Sequence, residues 1–285
     1  MKPTQSIMSR YKIAQSKNHY ENFTVGSLVL GKDMREAIIT LYAFARLGDD
    51  IADEGNHSKK ERTEQIKYLK NHLKKIELNQ KINDSYFKIL QILYIKYKFK
   101  INNLYRFINA FNEDINHQQY ARFSDLIRYC DAAANPAGEL ILSLVKQDNK
   151  ANVRQSNAIC TALALINFAQ GVVEDFEKGR IYIPKDEMKT FYLKVEDIQQ
   201  RNFTKYWVQY KKYWVERNYQ ILEEGLGLGE KIKGRLGIEI QMVECAAFLL
   251  LKRMKRNNCN LFVSPPKIKT LDWIFIFFKV ALRSL

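Results

Sequence analysis

Proline is scarce in this chain, 5 in 285 residues, and glycine is modest at 12. No stretch reads as a linker, so one domain over 1–285 is expected although the length is compatible with two. Alternating apolar and polar runs are almost absent, which excludes a sheet-built fold. Apolar residues, 46% of the total, recur instead at three- and four-residue spacing, so the chain is read as all-α. The four cysteines, Cys130, Cys160, Cys245 and Cys259, stand far apart without a CxxC pair. That excludes a zinc ribbon or a disulfide framework and fits a reducing, cytoplasmic compartment. The four histidines are equally dispersed and are read as structural or surface residues. A dinucleotide fingerprint is lacking. Residues 1–20 are polar and basic without an apolar core, so no signal peptide is expected.

Acidic residues are outnumbered, 31 against 46 Lys and Arg, for a formal charge of +15. Such an excess suits an anionic partner: nucleic acid, an anionic membrane, or phosphorylated small molecules. The basic residues are scattered (Lys59-Lys60, Lys74-Lys75, Lys96 to Lys100, Lys252 to Arg256) and form no recognisable nucleic-acid module. Nucleic acid is therefore not the expected partner.

Against this background one acidic stretch stands out. The apolar run Ile38-Ile39-Thr40-Leu41-Tyr42-Ala43-Phe44 leads through Ala45, Arg46 and Leu47 into Asp49, Asp50, Asp53 and Glu54. On a helix, Asp49 shares a face with Asp53, and Asp50 with Glu54. Like charges at that spacing repel. A hard divalent cation would compensate them, and Mg²⁺ typically takes one or two carboxylates together with substrate phosphates. A solvated acidic helix end is the alternative for the cluster taken alone, but such an end seldom follows directly on so apolar a run.

Along the rest of the chain, 6–17 is expected to be a short helix, followed by the polar and aromatic cluster His19 to Phe23. Asp33 is expected to cap the acidic helix, with Glu36 completing a capping box, and Gly55 and Asn56 to stop it. Helices are then expected over about 59–76, 84–97, 102–117, 120–134 and 138–147, the last two set apart by a bend at Asn135-Pro136. A second informative stretch follows at Ala158 to Pro184. Its first part, Ile159 to Ile166, is apolar on every side and is expected to be buried all round. It turns polar at Asn167, and Asn167, Gly171 and Asp175 fall at i, i+4 and i+8 on one face. Polar groups emerging from a buried helix need partners, which a metal-bound anion would supply; a core helix running out to solvent is the other reading.

The residues His19-Tyr20-Glu21-Asn22-Phe23, Tyr42 to Arg46, Asp49 to Glu54, Tyr129-Cys130, Asn135 to Gly138 and Asn167 through Pro184 together resemble the squalene and phytoene synthase family, most closely its bacterial hopanoid-pathway branch. The resemblance spans nearly the whole chain. It implies a single-domain, all-α isoprenoid-synthase bundle with a central apolar cavity, and two acidic motifs that bind Mg²⁺ and diphosphate. Carried onto this chain, the metal ligands are Asp49, Asp53 and Asp175, and Asn167 joins them because Asn167, Gly171 and Asp175 also resemble the Asn/Ser/Glu metal triad of terpene cyclases. The catalytic set is Tyr129, Arg46, Asp49, Asp53 and Asp175. Substrate binding falls to His19, Asn22, Phe23, Tyr42, Arg46, Gln170, Lys178, Arg180 and Tyr182, with Phe44 either a cavity wall or plain core. Two positions depart from the family: Gly171 stands where an aspartate is usual, and Gln170 where a basic residue is usual. Glycine leaves room there for a water as a metal ligand.

By resemblance the substrate is an isoprenoid diphosphate. The reaction would be conversion of presqualene diphosphate and water to hydroxysqualene and diphosphate, with condensation of two farnesyl diphosphates as the alternative. A silent relative that binds isoprenoid diphosphate, or that partners a companion synthase, is the alternative of another class. The C-terminal segment, about 267–285, is apolar and aromatic yet too short to span a bilayer. It is expected either to pack as a last bundle helix or to lie on the inner face of the cell membrane, with Lys267, Lys269, Lys279 and Arg283 toward anionic headgroups.

Overall fold

The computed structural model describes residues 30–116 and 119–283, and its described residues form helices and loops without a strand. His19, Asn22, Phe23 and the expected helix over 6–17 lie outside them. Two compact units emerge, one holding the described residues up to 116 together with 132–153, the other holding 119–131 and the chain from 154 onward.

The first unit contains α1 (Lys32–Asp53), α2 (Lys59–Glu77), α3 (Ser85–Tyr97), α4 (Asn102–Ile115) and α6 (Asn135–Leu144). Helix α1 packs against all of the other four. From Ala37 to Ala52 every residue of α1 is buried except Tyr42, Ala45, Arg46 and Asp49. Its closest approach is at Gly48, where a Cβ would run into the Phe111 ring of α4, so a side chain there would force the two helices apart. Tyr86, fully buried, donates its hydroxyl to the Thr40 carbonyl at 2.8 Å and ties α3 to α1.

Helix starts follow local chemistry. Asp84 caps α3, its carboxylate accepting from the Tyr86 and Phe87 N–H groups, and Ser58 with Glu61 forms a capping box at α2. The cap expected at Asp33 is not formed. Gly31 in extended conformation precedes α1 without a side-chain cap, and the Asp33 carboxylate lies 3.4 Å from Lys96 Nζ. Helix α4 ends at Ile115, two residues before the expected end, and α5 (Phe123–Ala133) starts three residues later than expected. Pro136 does not bend a continuous helix. The chain breaks at Ala134, and Pro136 sits in the first turn of α6, where a missing N–H costs no intrahelical bond.

The second unit contains α5, α7 (Lys150–Gln170, from Arg154 onward), α8 (Val172–Glu177), α9 (Lys185–Thr190), α10 (Val195–Gln199), α11 (Lys205–Gly225), α12 (Leu228–Lys231), α13 (Arg235–Lys255) and α14 (Thr270–Arg283). Helix α13 packs against α11, α12 and α14, with Ala246, Ala247, Leu250, Leu251 and Met254 fully buried. Two side chains of α11 donate to carbonyls of α7: Trp214 to Leu165 at 3.1 Å and Asn218 to Ala162 at 3.2 Å. Lys211, almost fully buried, donates to the carbonyls of Arg256 and Cys259, both at 2.8 Å, and burial pulls its ammonium below the usual lysine range. The buried Glu187 accepts from the half-buried Arg217 and from the Tyr210 hydroxyl, so its charge is paired.

Glu244 on α13 is buried, and the Gly229 N–H donates to its Oε1 at 3.2 Å. Burial pushes its carboxyl from 4.5 up to about 7, overriding that N–H, with Glu230 adding to the rise. A carboxyl raised in the folded state contributes stability that is complete below its unfolded value of about 4.5 and is lost as pH climbs through about 7. Glu244→Gln keeps the acceptor and removes the charge. At pH 8 it should be more stable than the parent by about 2–3 kcal/mol, with little gain at pH 5. Denaturant unfolding at the two pH values checks this, and a gain equal at both would contradict it.

Candidate functional site

From Ala37 onward, the polar side chains of α1 that escape burial form one strip. Tyr42, Arg46, Asp49 and Asp53 follow at three- and four-residue spacing, all half-buried, on a helix otherwise enclosed. Arg46 sits among the carboxylates. Its Nη1 is 3.2 Å from Asp49 Oδ2, its Nε 2.9 Å from Asp50 Oδ1, and its Nη2 3.0 Å from Glu54 Oε1. Asp50 is itself buried, whereas Asp49 keeps nearly half of its side chain exposed. Phe44 is fully buried and belongs to the core rather than to a wall.

The end of α1 is held by a residue that sequence reasoning passed over. Arg62 donates to the carbonyls of Ile51 at 2.6 Å, Gly55 at 2.8 Å and His57 at 3.2 Å. The Ile51 contact satisfies a carbonyl that a helix C-terminus leaves without an intrahelical partner, and the other two hold the loop that follows. No spacing rule points from Arg62 to them, because the contact depends on the turn that Gly55 makes at φ +74°.

In the second unit α7 is not buried all round, as the sequence suggested. Cys160, Leu163, Ala164, Phe168 and Gly171 are half-buried and Asn167 is exposed, a strip left open along one side. Helix geometry breaks at Gly171, yet the register carries on: the Gly171 N–H donates to the Asn167 carbonyl and the Asp175 N–H to the Gly171 carbonyl, both at 2.8 Å. Asn167, Gly171 and Asp175 thus share one face, as expected. A Cβ at 171 would lie 3.1 Å from Asp175 Oδ2, so the glycine lies directly beside that carboxylate.

Helix α8 ends in a Schellman arrangement. Gly179, at φ +79°, donates to the Phe176 carbonyl at 2.9 Å, and Arg180 N–H returns to the Asp175 carbonyl at 2.8 Å. This turn brings the buried Arg180 side chain and Asp175 to the wall of one narrow pocket, which Phe168 and Tyr182 also line. The pocket has a free volume of about 30 Å³, room for about one water. Arg180 Nη1 is 3.4 Å from the Tyr182 hydroxyl. Tyr182 stacks on Phe168 with centroids 4.0 Å apart, and Tyr129 lies 5.9 Å from Tyr182 and 6.2 Å from Phe168. Tyr120 joins this aromatic group at 5.6 Å from Tyr129, a member the sequence did not single out.

Gln170 and Lys178, also expected at the substrate, have the following surroundings. Gln170 Nε2 donates to the Pro266 carbonyl at 2.5 Å and so ties α7 to the segment that enters α14. Lys178 is exposed at the end of α8.

Among the described residues no three His, Cys, Asp or Glu side chains converge on one point as a ready-made metal cage. The donors on α1 are hard carboxylate oxygens, with Asp49 open to solvent and Asp53 one turn further on. That set is too sparse for a cation held by protein alone. It fits Mg²⁺, which keeps several waters and completes its shell with phosphate oxygens.

An all-α chain with a carboxylate strip and a separate Asn/Gly/Asp face defines an isoprenoid-synthase class of protein. The chain belongs to the squalene/phytoene synthase family, whose model matches residues 16–273. It is 26% identical to the hydroxysqualene synthase of Zymomonas mobilis over 280 residues, covering 96% of this chain and 92% of that protein. Among solved structures it is similar to the squalene synthase HpnC of Alicyclobacillus acidocaldarius, 26% identical with a TM-score of 0.77, covering 88% of this chain and 95% of that one. A dehydrosqualene synthase solved with a ligand shares the fold at a TM-score of 0.83 and 18% identity, covering 99% and 100% of the two chains.

Gly179 gives a direct check on how the Asp175 and Arg180 pair is built. Gly179→Ala should lower stability by about 1 kcal/mol, because its φ is one that a Cβ disfavours. Gly179→Asn should recover much of that loss, since asparagine visits this region more readily. Thermal melts of the two variants decide the point, and equal losses would contradict the assignment.

Proposed function

We propose that this chain is a Mg²⁺-dependent isoprenoid diphosphate enzyme that converts presqualene diphosphate and water to hydroxysqualene and diphosphate. The observation that carries the reading is the strip on α1, where an otherwise enclosed helix leaves only Tyr42, Ala45, Arg46 and Asp49 short of burial between Ala37 and Ala52, with Asp53 next in line. The names of the hydroxysqualene synthase relatives support the choice of reaction.

Asp49 and Asp53 would hold the metal, with Asn167 and Asp175 as the ligands of the second motif. Bound Mg²⁺ supplies positive charge against the departing diphosphate. Arg46 neutralises the neighbouring carboxylates in the resting protein and offers N–H groups to phosphate oxygens, as does Arg180. In the reaction the carbon–oxygen bond to diphosphate breaks with its electron pair on the leaving group. The cyclopropylcarbinyl cation rearranges, water oxygen bonds to carbon, and a proton is lost to solvent. Tyr129, Phe168 and Tyr182 offer π faces that favour the cation and keep stray nucleophiles away. Condensation of two farnesyl diphosphates is the second reading, favoured by the similarity to the squalene synthase of Alicyclobacillus.

Purified protein incubated with presqualene diphosphate or with farnesyl diphosphate, each with Mg²⁺ or with EDTA, separates these readings by diphosphate release and mass spectrometry of the lipid. Hydroxysqualene from presqualene diphosphate, with Mg²⁺ only, is the expected result, and no release from either substrate overturns the proposal. Asp49→Asn and Asp53→Asn should each lower turnover by about 100-fold or more with an unchanged helical spectrum; full activity at saturating Mg²⁺ would refute the metal assignment. Gly171→Asp places a second carboxylate against Asp175. It should lower the melting temperature in EDTA and regain it with Mg²⁺, whereas a loss that Mg²⁺ does not reverse would contradict a metal ligand at this position.

A further inference from the structure

Helix α14 carries apolar residues on two opposite sides. Inward, Ile276 and Val280 are buried, and α14 packs on α13. Its first turn is fixed by Asp272, which takes both Nη atoms of Arg253 at 2.8 and 2.6 Å and accepts the Lys269 N–H at 2.7 Å. Outward, Leu271, Ile274, Phe275, Phe278 and Leu282 follow at i, i+3, i+4, i+7 and i+11, so they form one stripe. They are strongly exposed, Phe275 and Leu282 at 73%. Contiguous exposed apolar residues on a helix this well anchored mark a surface with a partner.

The charges around the stripe say which partner. Lys279 is exposed at its edge, and Lys267 and Lys269 are exposed on the segment that leads into the helix. A second copy of the chain docking stripe to stripe across a two-fold axis would bring these like charges together. An anionic lipid surface satisfies both features: apolar rings enter the acyl boundary while lysines reach headgroups along their stems. The helix has 14 residues, a length of about 21 Å, which is short of a bilayer core. No helix among the described residues is long and apolar enough to cross a membrane.

We propose that α14 is an interfacial membrane-docking helix, its outward stripe lying in the acyl boundary of an anionic bilayer and Lys267, Lys269 and Lys279 in the headgroup layer. The consequence reaches further than attachment. The segment entering α14 is held by Gln170, next to Gly171, and by Arg253, which donates to the Lys267 carbonyl at 2.7 Å. The unit that carries Asp175 and Arg180 is therefore the one tied to the bilayer surface. This proposal does not rest on the reaction assigned above and survives or fails apart from it.

The test uses the full chain with sedimented vesicles of phosphatidylcholine alone or mixed with phosphatidylglycerol. Binding is expected to the mixed vesicles and to fall with added salt. Phe275→Ser with Phe278→Ser should weaken it about tenfold or more with an unchanged melting temperature, since both rings are exposed. Lys267→Glu with Lys269→Glu should remove the preference for anionic lipid. Wild-type protein that stays in the supernatant with both vesicle types overturns the proposal, as does a serine double variant that binds like the parent. A double variant that instead converts a dimer to a monomer in sedimentation equilibrium, with no vesicle binding by the parent, assigns the stripe to a subunit interface and equally overturns it.

Discussion

The C-terminal end of α1 concentrates negative charge where a helix already carries it. Four carboxylates fall within six positions of a helix end whose free carbonyls are themselves negative, and the last turn has no basic residue. Two arginines offset this. Arg46, one turn back, reaches Asp49, Asp50 and Glu54, and Arg62 on α2 covers the carbonyls of Ile51, Gly55 and His57. Stability alone would not favour such a placement, since a lysine or a neutral residue in the last turn would serve the helix better. A site whose own electrostatics are unfavourable until a cation arrives is the arrangement expected where binding, rather than folding, set the residue types.

Geometry around the strip fixes where those carboxylates point. Gly48 lets α4 come close enough for the Phe111 ring to lie on the α1 backbone, and Thr40 accepts the Tyr86 hydroxyl through its carbonyl. With three sides of α1 enclosed in this way, the fourth is the side of Tyr42, Arg46, Asp49 and Asp53. The second motif reaches its form by other means. A short interruption at Gly171 preserves the helical register, and the left-handed turn at Gly179 returns Arg180 to Asp175.

Much of this was legible in the sequence because it is local. The all-α class and the helix over about 84–97 follow from three- and four-residue apolar spacing, and the shared face of Asn167, Gly171 and Asp175 from counting. What escaped depends on residues far apart in the chain. Asp33 looked like a cap because aspartate followed by Glu36 has the right spacing, but its carboxylate lies by Lys96, 63 residues away. The bond from the Gln170 amide to the Pro266 carbonyl, 96 residues away, has no local signal either. Arg62 and Tyr120 carried no signal, since the first acts on a neighbouring helix end and the second through ring packing. The open side of α7 was hidden for a different reason: Cys160, Leu163 and Ala164 are apolar whether they face a core or an open strip.

The central claim is that the α1 strip takes a divalent cation and a diphosphate together. Calorimetric titration of inorganic diphosphate into the purified full chain, in Mg²⁺ and then in EDTA, tests it without reference to any isoprenoid or product. The account predicts binding that requires Mg²⁺ and that weakens by about 10- to 100-fold in Asp53→Asn. Diphosphate binding of equal strength in EDTA, or unchanged in that variant, would contradict it.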